Sequence, residues 1–591
     1  MSTEQIVLLI ELFLILLFSF LLYFFYIKKN TSILVGILTI FLWFLNFSLV
    51  ILLPFDIYFN KKGKALGVGD DVIEANNKIL RICYASSYWT IFDLSWVCLP
   101  ILKEYENRGE FTKKDKLKGS IKSNLMFYVI IGIVVIVGIV GIGIYCIVYG
   151  KEFKKFVEDL YHICIDALNL YGLFFIIFML GYSIPKIPLS LWSKFDNQKR
   201  IKYLEWKTGS ICEDIVKGKK DLMKYGHQIK ASMDDIRYAD DDKTSEINDY
   251  SDYLEDILKD FKESKDLYEL NLDEERNEEK GCKKISDLVA LNSNIIKTKN
   301  NVMFLNCQLT KLYKEWKFRK SLSLYQPVII DDKKQPLDNG NFKPIEISNF
   351  QKFYHLKLKK VFIIIGIVLI LSFDALLVFS ELTFFIDKFR GCVFGIIIDN
   401  VDSFVTVHLF TILPLVIMYY STSFSIFRMK ISTFIGIHGN HHTNSYSILF
   451  LTNFICTIGF ALGVHFMQLI KLTPPTKTEE KVENNLFANE TIKDNTNKTI
   501  LESEYGFEAA DIKVLQTVMK FFPLILIALI AIHYFSVFKK LLGCMGFPTF
   551  GGDTDESKEV ESDGRHYLEK VDKERSGNSV LEIKEEPIEA V

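Results

Sequence analysis

Three carboxylates lie inside stretches of sequence that are otherwise apolar. They are Asp93 in YWTIFDLSWVCLP, Asp374 in LSFDALLVFS and Glu381 in SELTFF. A charged group in hydrocarbon is costly unless it faces water or protein, so such residues can mark a path for a proton, a cation or a small solute. The alternative is that they hydrogen-bond between neighbouring helices. We interpret hydrogen bonding as the commoner role, and select these three as candidates if a path exists.

Other polar side chains lie in or near the apolar stretches, where long or amphipathic groups can extend towards water. They are Glu11, Asp166, His465, Lys520 and His533. Their positions allow the same two interpretations.

No motif indicates an enzyme or a cofactor site. The sequence has no glycine-rich phosphate loop, no G-x-S-x-G and no H-E-x-x-H. His438, His441 and His442 could offer imidazoles to zinc, but no cysteine or carboxylate adjoins them to complete a closed site. We therefore predict no catalytic residues, no metal and no cofactor, and interpret the histidine segment as a solvated loop.

The apolar stretches predict the fold class. About nine of them, each of roughly 20 residues, are long enough to cross a bilayer as helices, and a helix satisfies the backbone groups that lipid cannot. With 49% hydrophobic residues, the chain is predicted to be an all-α polytopic membrane protein. The predicted spans are residues 5–27, 32–53, 83–102, 125–149 and 161–184, then 360–384, 403–427, 446–470 and 514–537.

This arrangement divides the chain into an N-terminal bundle (1–185), a polar region (186–358), a C-terminal bundle (359–545) and an acidic tail (546–591). The tail lacks apolar periodicity, so we predict that it is disordered. The fourth span carries Gly132, Gly138, Gly141 and Gly143. Small residues let membrane helices approach closely, so this span is predicted to lie inside the bundle.

Basic residues favour one orientation. Lys28 and Lys29 follow the first span, and the basic segment KEYENRGEFTKKDKLKGSIK follows the third. Because basic loops face the cytoplasm, we predict an extracellular N-terminus and a cytoplasmic C-terminus. The segment 471–513 is then extracellular, and its two N-x-S/T sequons make Asn489 and Asn497 candidate glycosylation sites.

A heptad pattern predicts a coiled-coil-like helix within the polar region. The apolar seam consists of Leu288, Leu291, Ile295, Val302, Leu305, Leu309, Leu312 and Trp316. A weaker seam precedes an acidic linker and consists of Ile211, Ile215, Leu222, Tyr225, Ile229 and Ile236. We predict a cytoplasmic helical hairpin in which the two seams pack together and leave outer faces for partners. The alternative is that the seam recruits a partner helix.

Several segments together resemble the limb-region (LMBR) membrane protein family. They are LLPFDI (Leu52–Ile57), YWTIFDLSWVCLP, GYSIPKIPLSLW (Gly181–Trp192), SELTFF, FRMK with the following SYSILF, and LLGCMGFPTFGGD. The positions that match include Leu53, Pro54, Asp56, Pro188, Trp192 and Glu381. The resemblance covers nearly the whole membrane region and part of the heptad seam that begins at Leu288, and it excludes the acidic linker and the tail.

The resemblance implies nine spans, an extracellular N-terminus, a long cytoplasmic loop and a non-enzymatic receptor-like or adaptor-like role. Members of the family are linked to lipocalin uptake, lysosomal cobalamin export, receptor endocytosis and G-protein-coupled receptor signalling. The branch that this chain resembles is linked to the last of these, at the plasma membrane. We therefore expect the bilayer, membrane receptors and cytoplasmic signalling or trafficking proteins as partners. The net charge of −2 argues against nucleic acid. The alternative function is a transporter or channel that uses the intramembrane carboxylates.

Overall fold

The computed structural model describes most of the helical regions of the chain. The described residues are 3–28, 31–66, 71–149, 153–237, 250–259, 261–262, 281–282, 284–324, 342, 344–383, 392–428, 441, 443–470, 499–505, 513–535 and 555–577. Regular structure in them is helical, apart from an isolated parallel bridge between Ile27 and Thr443.

The N-terminal part forms long helices. They are α1 (Thr3–Tyr26), α2 (Ile33–Leu66), α3 (Asp71–Asp93), α4 (Leu99–Asn107), α5 (Lys113–Tyr149) and α6 (Phe153–Ser193). A π-helical turn, Leu94–Cys98, joins α3 to α4. The polar region then contributes α7 (Asn197–Arg237), a helical segment at residues 250–259, and α8 (Ile285–Ser323).

The C-terminal part begins with a short helix, α9 (Asn349–Phe353), whose start is capped by a Ser348–Gln351 capping box. A second π-helical turn, Tyr354–Leu358, continues into α10. The remaining helices are α10 (Lys359–Thr383), α11 (Val393–Asn400), α12 (Phe404–Arg428), α13 (Ser445–Ile470), α14 (Ile500–Tyr505), α15 (Lys513–Tyr534) and α16 (Asp555–Gly577).

Within the described residues, 7 helical segments are long and apolar enough to cross a bilayer. They include residues 4–26, 33–62, 113–141, 164–193, 349–383, 404–426 and 445–470. The predicted class of helical membrane protein is therefore confirmed, whereas the count of nine remains a prediction. The predicted third span falls on α3, the π turn and α4, where Asp93 and several serine, tyrosine and tryptophan residues lower the hydropathy. The predicted ninth falls on α15, whose apolar part, Phe521–Tyr534, is shorter.

Helix α13 lies at the centre of the bundle. It packs against α2, α4, α6 and α12, and most of its side chains are buried. Since lipid is as apolar as the core, close contact between helices here depends on small residues. Gly459 lies against Asn46 of α2, and Gly172 of α6 lies against the Thr457 carbonyl and Ala461. These contacts place α2 and α6 directly on the central helix.

Helix α5 corrects one of our predictions. A Cβ atom added at Gly132, Gly138, Gly141 or Gly143 would meet no atom of another described segment within 4 Å. The apolar side chains of α5 point outwards along its length, and the helix contacts α4 and, more weakly, α6. The prediction of an interior fourth span is wrong, because small residues permit close packing without requiring it. A helix that is apolar on all sides also gives no indication of which side packs.

Contacts distinguish the two ends of the bundle. At one end, Gln5 near the start of α1 donates to Asn76 at 3.4 Å, and Arg81 forms an ion pair with Glu504. At the other end, the residues after α1 pair with the segment before α13 through Lys28 and Thr443 (3.0 Å). Lys28 also lies 3.6 Å from the Met303 sulfur of α8. The polar-region helices and the end of α1 therefore share one end of the bundle.

The acidic tail is not disordered throughout. Residues 555–577 form α16, which packs extensively on α7. The predicted disorder is therefore wrong for this part of the tail. Helix α16 has a narrow apolar side, but its many charged residues make the average composition of the segment polar. The rest of the tail lies outside the described residues.

Candidate functional site

A three-helix module, formed by α7, α8 and α16, lies at the end of the bundle where α1 finishes. The two predicted seams face each other in its core. Ile211, Ile215, Leu222 and Ile229 of α7 share one buried cluster with Leu288, Leu291, Ile295, Val302, Leu305 and Leu309 of α8. Leu312 is half-buried beside this cluster, and Trp316 is fully buried in the next one. The seam of α8 therefore packs within the chain.

The helical segment at residues 250–259 closes the far part of the module. Leu254 and Ile257 join the same buried cluster, and Tyr253 stacks on Phe111 with 4.1 Å between ring centroids. Phe111 lies in the connection between α4 and α5, so this stacking ties the module to the membrane bundle.

The same connection makes further contacts with α8. The Asn292 side chain donates to the Gly109 carbonyl at 2.8 Å, and the Ser293 hydroxyl donates to the Asn107 carbonyl at 2.9 Å. A Cβ at Gly109 would collide with the backbone of α8, so glycine permits the close approach here. The module is thus fixed to the bundle through backbone carbonyls at the end of α4 and just after it.

The apolar contact of α16 lies near the base of the module. Leu568 and Val571 of α16 are buried with Ile201 and Leu204 of α7 and with Tyr313 and Trp316 of α8. Two glycines bring the helices together, because a Cβ on Gly209 would collide with the Val560 carbonyl and one on Gly564 with the Glu205 carbonyl. This crossing requires glycine on both helices.

Buried polar groups determine how α16 sits. Glu205 of α7 accepts from the Trp316 indole and from Arg565 of α16, each at 3.1 Å. Asp572 of α16 accepts from the Tyr313 hydroxyl at 2.9 Å and lies 2.7 Å from Lys317. Burial, followed by the hydrogen bond and charge of Asp572, raises the pKa of Tyr313. A buried carboxylate without such partners would be destabilising, so these pairs favour one orientation of the helix.

The sequence contained a signal for α16 that our prediction did not use. Its buried or half-buried residues recur at helical spacing within the charged tail: Val560, Gly564, Tyr567, Leu568 and Val571. Nothing local could identify Glu205 as the partner of Arg565 on this helix, because the two residues are 360 positions apart.

At the base of the module, Arg200 of α7 makes a bidentate pair with Glu315 of α8, at 2.9 and 2.8 Å. Burial opposes ionisation of Glu315, but the hydrogen bond and charge of Arg200 outweigh it and lower its pKa. Asn197 and Arg319 complete the contact, since the Asn197 amide donates to the Arg319 carbonyl at 3.0 Å. These bonds fix the start of α7 against the end of α8.

Two of the predicted intramembrane carboxylates lie on one face of α10. Asp374 and Glu381 are buried and are two helical turns apart, about 10 Å along the axis. Glu381 lies 2.7 Å from Nε2 of His465 on α13, at a buried position. Asp374 Oδ2 is buried without a hydrogen-bond partner among the described residues. Helix α10 thus presents two carboxylates to the bundle interior, of which one is bound to an imidazole.

The third candidate lies elsewhere. Asp93 ends α3 with its side chain exposed on the surface of the bundle, and α3 packs on α2, whereas α10 packs on α6 and α15. The structure therefore does not bring Asp93 and Asp374 into one site.

A second carboxylate–histidine pair links α1 to α12. Glu11 Oε1 lies 2.8 Å from Nε2 of His408. Glu11 was among the predicted polar groups but His408 was not, because a single histidine within an apolar helix gives no indication of its partner 397 residues away.

The other polar groups are distributed separately. Asp166 is buried on α6, His533 of α15 packs edge-on against Tyr182 at 5.1 Å, and the Lys520 side chain is outside the described positions. No shared site connects these groups in the described part of the chain.

The last turns of α2 hold two helices at the opposite end of the bundle from the module. Asp56 accepts from the backbone N–H groups of Ile500 and Leu501, each at 3.0 Å, and so caps the start of α14. Lys61 donates to the carbonyls of Asp399 and Val401 at 3.1 and 2.6 Å, at the end of α11. A carboxylate at a helix start and an ammonium at a helix end both complement the helix dipole. This gives the LLPFDI motif a structural role for its Asp56.

Two further predictions concern residues largely outside the described ones. Asn489 and Asn497 are not described, and neither are His438 and His442. His441 is described: it has a φ of 64°, and its Nδ1 lies 3.2 Å from the Ile27 carbonyl. No group of three or more histidine, cysteine or carboxylate side chains within the described ranges could hold a metal.

Known proteins are similar to this chain over most of its length. The chicken protein named G-protein coupled receptor-associated protein LMBRD2 (Gallus gallus) is 23% identical, covering 91% of this chain and 79% of its own. The human protein of that name (Homo sapiens) is 20% identical, covering 93% and 80%. LMBR1 domain-containing protein 2 homolog A of Dictyostelium discoideum is 22% identical, covering 91% and 74%. These names describe receptor association or family membership and no enzyme activity.

No solved structure matches the chain. The family model for LMBR1-like membrane proteins matches residues 4–538 of this chain. These residues include the membrane helices and most of the module. On that match, the chain belongs to the LMBR1-like membrane protein family.

Proposed function

We propose that this protein is a non-enzymatic membrane adaptor that associates with G-protein-coupled receptors. The chicken and human relatives are named for that association. The observation that carries the proposal is the three-helix module, which is fixed to the membrane bundle at Gly109 and Phe111. Such a module can hold a soluble partner at a defined place beside a receptor in the same membrane.

The partner surface of the module would be its outer face. The apolar seam of α8 is occupied by α7, so its residues do not provide a free site for a partner helix. Exposed residues on α7, including Glu213, Val216, Lys217 and Lys220, are available instead. We infer a cytoplasmic module, an extracellular N-terminus and residence at the plasma membrane. Asn489 and Asn497 then stay as proposed glycosylation sites.

A proximity-labelling enzyme fused after Val591 in living cells tests this proposal. We expect G-protein-coupled receptors to be enriched relative to a fusion with an unrelated multi-pass protein of the same membrane. Co-purification of an enriched receptor with the tagged protein then checks direct association. Receptor recovery no higher than that of the unrelated fusion would contradict the proposal.

A second function, transport of a proton or small cation, is favoured by one observation. Asp374 and Glu381 lie on one buried face of α10, and Asp374 Oδ2 lacks a hydrogen-bond partner among the described residues. Flux into proteoliposomes that contain the purified protein separates the two functions. Uptake that Asp374→Asn abolishes, and that the exposed Asp93→Asn leaves unchanged, would support transport and count against the adaptor.

A further inference from the structure

Five basic side chains meet where the module joins the membrane helices. They lie in the turn between α6 and α7, in the first turn of α7, near the end of α8 and at the start of α10. We call this cluster the basic junction: Lys194, Arg200, Arg319, Lys359 and Lys360.

Contacts between these segments bring the charges together. Arg319 of α8 donates to the Lys194 carbonyl at 3.5 Å, and Lys360 Nζ lies 5.3 Å from the centre of the Phe195 ring. The positive charges of Arg319, Lys194 and Arg200 all act on Lys359. The basic junction therefore combines residues from three separate parts of the sequence.

Among the described residues, two carboxylates lie close to the basic junction and offset only part of its charge. Glu315 faces it and is bound by Arg200 at 2.8 Å, with Arg319 at 3.8 Å. Asp196 is also close, but it caps α7 through the Gln198 and Lys199 N–H groups and faces the Lys199 ammonium at 4.0 Å. The His355 imidazole is also close enough to interact electrostatically with Lys359 and Arg319. The excess of positive charge is suited to an anion.

Exposed aromatic side chains surround the basic junction. Trp192 is 60% exposed and stacks on Phe195 at 5.6 Å, while Phe350 and Phe353 are 74% and 52% exposed. Amphipathic and aromatic rings at the end of a membrane helix typically lie at the level of the lipid headgroups. Both helices that end here, at Ser193 and from Asn349, are long and apolar enough to span the bilayer.

We propose that the basic junction binds the phosphates of a phosphorylated inositol lipid in the leaflet on the module side. Several cations converge on one place, which suits a headgroup with more than one phosphate better than a singly charged one. Arginine and lysine supply the donors that phosphate oxygens accept. The bound lipid would contact the base of α7, the end of α8 and the start of α10 at once. This inference does not depend on the proposed receptor association.

The test uses the full-length protein in detergent, with phosphatidylinositol 4,5-bisphosphate and phosphatidylcholine as probes in native mass spectrometry. We expect selective binding of the phosphoinositide. The double variant Lys359→Gln/Lys360→Gln should bind it about 30-fold more weakly, since each cation near a headgroup contributes about 1 kcal/mol. The matched control, Lys217→Gln/Lys220→Gln, removes the same charge from the exposed face of α7, roughly 30 Å along the helix from its start, and should bind normally.

The unmodified protein provides an independent check, because binding to the basic junction should weaken as salt screens the charges. Equal binding of both lipids, an equal loss in the control variant, or binding that does not change with salt would overturn the proposal. Soluble inositol hexakisphosphate is the last probe. If it displaces the lipid completely at equal concentration, the site binds soluble phosphates and the assignment to a membrane lipid is wrong.

Discussion

At Asp56, one carboxylate holds a helix from a distant part of the chain. Its two oxygens accept from consecutive N–H groups at the start of α14, which lies 444 residues further on. Family resemblance drew attention to LLPFDI, but no local pattern could identify this partner. The sequence therefore shows that Asp56 is an unusual charge in an apolar helix, but it does not show that Asp56 caps another helix.

We predict that Asp56→Ala lowers the free energy of unfolding by about 1–2 kcal/mol, the usual loss when a capping side chain is removed. Thermal unfolding of the purified protein in detergent measures the effect. Glu504→Gln serves as the control on the same helix, because Glu504 pairs with a largely exposed Arg81 and should change stability by less than about 0.5 kcal/mol. Equal shifts for the two variants would contradict the capping role.

The Arg200–Glu315 pair gives a pH dependence whose sign follows from its pKa. Interaction with Arg200 holds the pKa of Glu315 below its ordinary value of 4.5, despite the opposing effect of burial. Its stabilising contribution is therefore fully present above pH 4.5 and is lost as the pH falls through the folded-state value.

We expect acid to destabilise the wild-type protein more than Glu315→Gln, which cannot titrate. Unfolding temperatures at neutral pH and below pH 4.5 measure this difference. Glu569→Gln, at the 44% exposed partner of Lys320, should keep the wild-type pH dependence. An unchanged dependence in Glu315→Gln would show that other groups cause it.

At the scale of helices, glycine residues have different packing roles in α5 and in the module. A Cβ added at Gly132, Gly138, Gly141 or Gly143 of α5 would meet no described atom within 4 Å, whereas Gly209 and Gly564 have no room for a Cβ. Both sets occur in helical sequence, so the sequence alone could not distinguish them. The seam of α8 was easier to predict because its heptad spacing is local and its partner seam lies on the preceding part of the same region.

We predict that Gly564→Leu displaces α16 from α7, whereas Gly138→Leu on α5 leaves the fold unchanged. Cys212 can report the displacement, because burial and nearby carboxylates raise its pKa to about 12, and a thiol in that state reacts slowly. Alkylation at pH 8, followed by peptide mass spectrometry, should be about tenfold faster or more at Cys212 in Gly564→Leu. Equal rates in the two variants would show that the helix remains bound.

Over the whole molecule, contacts rather than charge counts define the two ends. The start of α1 contacts Asn76, and the module contacts the residues after α1. The number of crossings was harder to predict than the class, because the region around Asp93 is helical yet too polar for a typical span.

We expect an epitope tag at Met1 to be accessible on intact cells and a tag after Val591 to need permeabilisation. Antibody binding before and after permeabilisation measures this. Tags accessible from the same face would contradict the arrangement of the two ends.

Helix α16 belongs to the same chain as α7 and is joined to α15 by residues 535–554. Its concentration near α7 therefore does not depend on expression level or diffusion. For a tether of this kind the local concentration is on the order of 1 mM. A soluble protein that uses the same surface of α7 must outcompete a ligand present at that level. A high concentration of that protein alone would rarely displace α16. A modification that weakens the binding of α16 to α7 would favour the competing protein more than a large rise in that protein's own concentration.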